Sequence, residues 1–334
     1  MTDERQKDAK DKLSKIDALL AKDASAEDLF SAATKARLAL EFRATDAMIG
    51  LPELDARLTS ALRKATCKAL ARAADKAHVD AALAFGEWVI QEKDDVHATS
   101  AVQGLQRVAD LDRSGRAYRL LGYLAFHGLG HPQDYRASLG YHRKGAGKGD
   151  VESMFELYAM LAQGLGAKAD MGQALAWCKR AADAGQPRAM SNLAAFYATG
   201  RGLPKDEKKA VAWYEKAANA GHAKAAGTLG VMLASGQGAP LDRVRARKWL
   251  ERADTLGYDW RPLAHAARVD IDALLRLPEG TVSENDPAPP RKKKAAAKAP
   301  AKKTKPVAKK KKAKAPAKKK KPVAKKKKAT KKKR

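Results

Sequence analysis

A period of 36 residues governs this chain. From Gly115 to Tyr258 the sequence divides into four blocks, starting at Gly115, Val151, Pro187 and Ala223, with no insertion between them. One column reads Gly128, Gly164, Gly200, Gly236, and two places on stand Gly130, Gly166, Gly202, Gly238. Further columns read Asp134, Asp170, Asp206, Asp242; Tyr141, Trp177, Trp213, Trp249; and Gly149, Gly185, Gly221, Gly257. Self-similarity at a fixed period of about 20–50 residues marks a solenoid, whose units cannot bury their apolar faces alone and do so against their neighbours.

The columns have mechanical meanings. Ala189, Leu193, Ala194 and Tyr197 follow helical spacing and predict a first helix, A, in the third block. The first glycine of each pair falls where a helix C-terminus needs a left-handed residue, which glycine supplies without Cβ strain. The aspartate four residues after the second glycine is placed to cap the next helix by accepting its orphan N–H groups. Helix B then carries Ala210, Val211, Trp213, Tyr214, Ala217 and Ala218, with Gly221 closing it. The tryptophans share the phase of the alanines and read as core.

Outside the blocks the same phase persists more faintly. Ala73-Ala74-Asp75 precedes Ala181-Ala182-Asp183 by three periods, and Gly86 precedes Gly122 by one. The 36-residue phase therefore runs back to about Arg43, with Glu92 and Asp94 where the glycine pair would be. The expected organisation is N-terminal helices over 1–48, degenerate helical repeats over 49–114, four clear repeats over 115–258, a capping helix over 259–277, and a linker and tail over 278–334. Gly50 and Pro52 separate the second and third helices. After Trp260, the stretch from Leu263 to Leu277 predicts one amphipathic capping helix. No stretch alternates β-branched residues as a strand would, so the class is all-α.

The third block, Leu193-Ala194 … Tyr197 … Gly200-x-Gly202 … Asp206 … Ala210 … Trp213-Tyr214-x-Lys216-Ala217-Ala218-x-Ala220-Gly221, resembles the Sel-one-like repeat, a relative of the tetratricopeptide repeat. The likeness covers 115–258. It departs at Tyr141 for tryptophan, Ser138 for alanine, and Asp254 for the second alanine of the pair. The resemblance implies a right-handed α-solenoid of antiparallel helix pairs that acts as a protein-interaction scaffold, without conserved chemistry and without cofactors. Some relatives are credited with β-lactam hydrolysis; those are secreted and carry cysteine pairs in their repeats, which this chain lacks, so that activity stands as a remote alternative.

Charge is unevenly placed. The 334 residues carry a formal net charge of +29 from 67 basic and 38 acidic residues. Residues 291–334 hold 25 of the basic residues and no acid, which leaves the remainder at +4. The lysines come in blocks: Lys292, Lys293, Lys294; Lys309, Lys310, Lys311, Lys312; Lys318, Lys319, Lys320, Lys321; Lys325, Lys326, Lys327, Lys328; and Lys331, Lys332, Lys333 with Arg334. Alanine and proline separate them, and the largest apolar side chains are Val307 and Val323. Such a segment cannot bury enough surface to offset its ordering entropy, so disorder is expected. It resembles the Lys/Ala/Pro tails of linker histones. A flexible polycation without aromatics suits diffuse neutralisation of phosphates, as in DNA, RNA or polyphosphate, rather than base readout.

Catalytic motifs are scarce. Gly128-Leu-Gly130 and its counterparts follow no strand and lack the third glycine of a dinucleotide fingerprint. His127, His131 and His142 cluster near one turn but lack a carboxylate or cysteine at ligand spacing, so no metal is assigned. Cys67 and Cys178 read as two buried, unpaired thiols. Met1 to Leu20 is charged throughout and lacks the apolar core of a secretory signal, giving a cytoplasmic expectation, with nucleoid association through the tail.

Two features remain for binding. In tetratricopeptide register the second and fifth positions of helix A face a groove. They are Arg116, Glu152, Arg188 and Lys224, and Arg119, Phe155, Ser191 and Gly227. That predicts a mostly basic protein-binding groove with one exposed aromatic. The expected function is a non-enzymatic adaptor: the groove takes a protein, and the tail takes nucleic acid or another polyanion. The alternative is a regulatory protein-binding solenoid in which the tail is incidental.

Overall fold

Each hairpin is tied at its turn by one aspartate working at both ends. In the computed structural model, which describes residues 2–48 and 56–275, the carboxylates of Asp134, Asp170, Asp206 and Asp242 accept backbone N–H groups of the helix they precede, at 2.8–2.9 Å. Their own N–H groups donate back to Ala125, Leu161, Tyr197 and Leu233, near the end of the preceding helix, at 2.8–3.0 Å. Orphan groups of both helices are thus satisfied by a single residue. The first glycines take left-handed φ between 71° and 76°, as the column predicts.

The regular array comprises α6 (Arg116–His127), α7 (Tyr135–Gly147), α8 (Val151–Gln163), α9 (Met171–Asp183), α10 (Pro187–Thr199), α11 (Glu207–Asn219), α12 (Ala223–Ser235) and α13 (Arg243–Thr255). All described elements are helices, and the protein is an all-α solenoid. A second capping column, which the mixed residue types conceal in the sequence, opens the A helices: Asp150, Gln186 and His222 accept from the N–H of Ser153, Ala189 and Ala225. Alanines at the helix contacts, among them Ala174, Ala181, Ala210, Ala217, Ala246 and Ala253, are fully buried and let the backbones approach closely.

The departures from the repeat have physical partners. Ser138, buried in an alanine column, donates its hydroxyl to the carbonyl of Gly122 at 2.8 Å. Asp254, standing for an alanine, accepts from Arg261 at 3.0 Å. Trp249 is buried while Trp177 and Trp213 are half-buried, and each is lidded by a cation three residues on: Arg180 at 4.5 Å, Lys216 at 4.1 Å and Arg252 at 5.3 Å. The tryptophans are therefore edge core, closed by their own helices.

N-terminal to the array lie α1 (Thr2–Ala21), α2 (Ala26–Met48), α3 (Ala56–Asp75), α4 (Val79–Glu92) and α5 (Asp95–Val108). Helices α1 and α2 pack on α3 through Ile16, Leu29, Ala33 and Leu62, all fully buried, in a core that continues to Leu124. Arg72 donates to the Leu20 carbonyl at 2.6 Å and Lys76 to Asp23 at 2.6 Å, which fastens the α1–α2 turn to the end of α3. Helix α2 runs unbroken through Arg43, so no helix start marks the phase there. The break expected at Gly50 and Pro52 lies outside the described residues.

The α4–α5 hairpin keeps the repeat length by another route. Its turn is two residues, Lys93 and Asp94, against seven in the regular blocks, and its exit loop is seven residues, 109–115, against three. Lys93 takes the left-handed position at φ 51°, and Asp94 caps α5. The B helix has slid a turn toward its own start.

At the other end the single predicted capping helix is two short ones, α14 (Arg261–Ala266) and α15 (Ile271–Leu275). The break falls at Arg268, whose φ of 56° no helix accommodates. Trp260, 1% exposed, closes the core of the last repeat. The linker and the lysine tail lie outside the described residues. Among the described residues no helix is long and apolar enough to cross a membrane.

Candidate functional site

The A helices of successive hairpins lie side by side, and between α4, α6 and α8 they leave a cavity of about 480 Å3. Ile90, Leu120, Tyr123 and Phe126 supply apolar walls; Arg119, His127, Glu152 and Glu156 supply polar ones. His142 enters from α7. Its ring passes beside Gly122, where a Cβ would fall 2.6 Å from Nε2, so the missing side chain of one helix is the window through which the next reaches the cavity. The same device recurs at Gly230, where a Cβ would meet Leu250 at 2.6 Å.

Of the predicted groove residues, the second-position set lies on the surface and is largely paired. Arg116 bonds Glu87 at 2.5 Å, and Arg188 bonds Glu152 at 2.7 Å across one period. Lys224 is exposed. The predicted basic bias is thereby corrected: Glu87, Glu152, Glu156 and Asp150 stand against Arg116, Arg119 and Arg188, and the rim is mixed. Glu87 belongs to the degenerate α4, off the columns that the sequence argument used.

The fifth-position set is buried apart from Arg119. Phe155 is 9% exposed, with the Arg188 guanidinium 4.3 Å above its ring, so it is not the exposed aromatic that the register predicts. Ser191 is buried, and Gly227 is covered by Tyr258 and Trp260. The tetratricopeptide register therefore places these positions too far toward the groove. Among the described residues the exposed aromatic is Tyr123, at 40%.

Two nitrogens in this region have no hydrogen-bond partner although they are buried: Nε of Arg119 and Nδ1 of His142. Burial, reinforced by the positive charge of Arg119, lowers the His142 imidazole to about 4, so it is neutral near pH 7. Burial raises the Glu156 carboxyl above its ordinary value against the pull of Arg188, with Glu152 adding to the rise.

Of the three histidines singled out in the sequence, His127 and His142 line the cavity and His131 does not. His127 stacks on Tyr123 at 4.2 Å, His131 points its Nδ1 at the Pro132 carbonyl, and His142 is buried. Both cysteines are free and buried. Among the described residues, Cys67, Asp94 and His97 do bring three donor atoms within 4.8 Å of one another.

The geometry defines an α-solenoid of capped helical hairpins that presents a cavity on its A-helix side. Residues 115–150, 151–186, 187–222 and 223–258 each match the family model of the Sel1 repeat. The chain is similar to a Sel1 repeat protein from Oxalobacter formigenes, at 27% identity and a TM-score of 0.51 over 57% of this chain and 80% of that one. It is equally similar to c5321, a protective antigen present in uropathogenic Escherichia coli strains displaying an SLR fold, at 27% identity and a TM-score of 0.51. That likeness again covers 57% of this chain but spans only 40% of the length of c5321. No protein of curated function matches the chain. Sel1-repeat proteins are generally protein-interaction scaffolds.

Proposed function

We propose that the protein is a non-enzymatic adaptor in which the A-helix cavity binds a protein segment and the lysine tail binds a polyanion, most favourably nucleic acid. The observation that carries this reading is the division of charge: a repeat-bearing body of +4 with a mixed, internally paired rim, and 25 basic residues with no acid in the last 44. A body so balanced has little to attract a phosphate backbone, whereas each phosphate neutralised by the tail releases counterions.

For the protein partner, support comes from the cavity itself. An aromatic at its mouth, an apolar bed and the charged groups of Arg119, Glu152 and Glu156 suit a peptide that inserts an apolar side chain and offers polar groups beside it. The same features serve the alternative reading, a regulatory solenoid whose tail is incidental.

Duplex DNA titrated into the full chain and into residues 1–290 over a salt series separates the two. If six or more phosphates are engaged, the full chain loses roughly 10³-fold in affinity between 50 and 200 mM salt, and the truncated chain binds negligibly. Equal binding by both would remove the tail from the function and leave the solenoid reading.

A further inference from the structure

We infer that Cys67, Asp94 and His97 form a binding site for a borderline divalent transition-metal ion of the Zn2+ type, at the junction between the N-terminal helices and the repeat array. The case begins with the period. Asp94 and Cys67 lie three periods of 36 before Gly202 and Leu175. In the third block that pair touches: a Cβ on Gly202 would fall 2.7 Å from Leu175 Cδ1, whereas the second glycines Gly166 and Gly238 sit on Tyr135 and Glu207, the first residues of the preceding hairpin's B helix. At the degenerate junction the same two positions carry a carboxylate against a thiol. Both partners have departed from the apolar pattern together.

The third donor comes from the altered turn. Because the α4–α5 linker is two residues long, α5 begins at Asp95, and His97 lies in its first turn beside its cap. One period on, Gln133 lies in the turn before α7. The imidazole Nδ1 stands 2.7 Å from Asp94 Oδ2, and the His97 N–H donates to Asp94 Oδ1 at 3.2 Å. The donor atoms of all three residues lie within 4.8 Å of one another.

The donor set selects the ion. Sulfur and imidazole nitrogen exclude Ca2+ and Mg2+, which take oxygen ligands, and suit Zn2+ or its neighbours. Thiolate and carboxylate together offset a divalent charge, with the thiol proton released to solvent on binding. Metal–ligand lengths of about 2.0–2.3 Å set tetrahedral donors roughly 3.5 Å apart, so closure requires a shift of about an ångström. His97, 39% exposed at its side chain, has room to make it, whereas Cys67 is buried and fixed. Three protein donors leave a fourth position for water. An ion held there ties α3 to the start of α5, across two hairpins.

The test uses the reduced full-length chain titrated with Co2+, whose thiolate charge-transfer absorption reports a sulfur ligand, followed by displacement with Zn2+. The expected result is saturation at one equivalent, loss of the band in Cys67→Ala, and an unchanged band in Cys178→Ala. Asp94→Asn, which retains a capping side chain, and His97→Gln should each weaken binding by at least about tenfold, the loss that even outer partners of metal sites cause. Zn2+ should also raise the Tm of the parent more than that of Asp94→Asn or His97→Gln. No band in the parent, a band surviving Cys67→Ala, or a band lost in Cys178→Ala would overturn the site. Should Cys67→Ala fail to fold, unweakened binding in both Asp94→Asn and His97→Gln would overturn it equally.

Discussion

The seven-residue turns of the regular repeats and the two-residue turn between α4 and α5 solve one problem with opposite means. Both must end one helix, start an antiparallel partner and keep the repeat near 36 residues. The regular turns spend two glycines and an aspartate; the short turn uses Lys93 in a strained left-handed conformation and lets the B helix slide by a turn. The difference teaches that the period belongs to the hairpin as a whole and not to its loops. It also teaches that glycine is indispensable only where a neighbouring backbone occupies the space its side chain would need.

The sharpest break of that comparison is at Gly166, with φ at 76° and the carbonyl of Tyr135 closer than any Cβ could tolerate. Gly166→Ala combines left-handed strain with overpacking against backbone, so the loss should reach roughly 3 kcal/mol or more by denaturant unfolding. A loss below about 1 kcal/mol would mean that the seams yield.

Next in size is His142→Leu, which copies the Gly230–Leu250 pairing into the first regular repeat. In the parent, the imidazole titrates near 6.5 when unfolded and near 4 when folded. Between those values the unfolded chain binds more protons, so stability is full above pH 6.5 and falls as pH drops toward 4, by about 3 kcal/mol for this group. The variant should lack that share of the decline. Parallel stability–pH curves for parent and variant would refute the assignment.

The smallest change sharpens the comparison. Lys93→Gly should relieve the left-handed strain of the short turn and gain about 1 kcal/mol, seen as a rise in the unfolding midpoint without a change in slope. A neutral result would show that the turn holds Lys93 there at no cost.

The sequence made the hairpins, their caps and their closing glycines legible because each is a column, and a column repeated four times separates cause from coincidence. It hid features written once or in changing letters. The second capping column uses Asp150, Gln186 and His222, chemically different residues with one acceptor in common. The break in the capping segment depends on Arg268, a residue type that gives no warning of a left-handed φ. The groove was half legible: Glu152 and Arg188 share a column with opposite charges, and their pairing could have been read from it. The burial of Phe155 and Ser191 could not, since it depends on neighbours such as the Arg188 guanidinium over the Phe155 ring, and the cavity depends on Gly122 admitting His142. Cys67 and Asp94 were within reach of the same column arithmetic, three periods before a Leu–Gly contact.

The aspartate that closes one helix with its N–H and opens the next with its carboxylate has a consequence for how such a chain can change over time. The aspartate's bonds at each regular turn are made within its own hairpin, so a whole unit can be gained or lost with both of its capped helix ends intact. The constraint on exchanging units then lies at the seams, such as Gly166 on Tyr135 and Gly202 on Leu175, where one unit must fit the next.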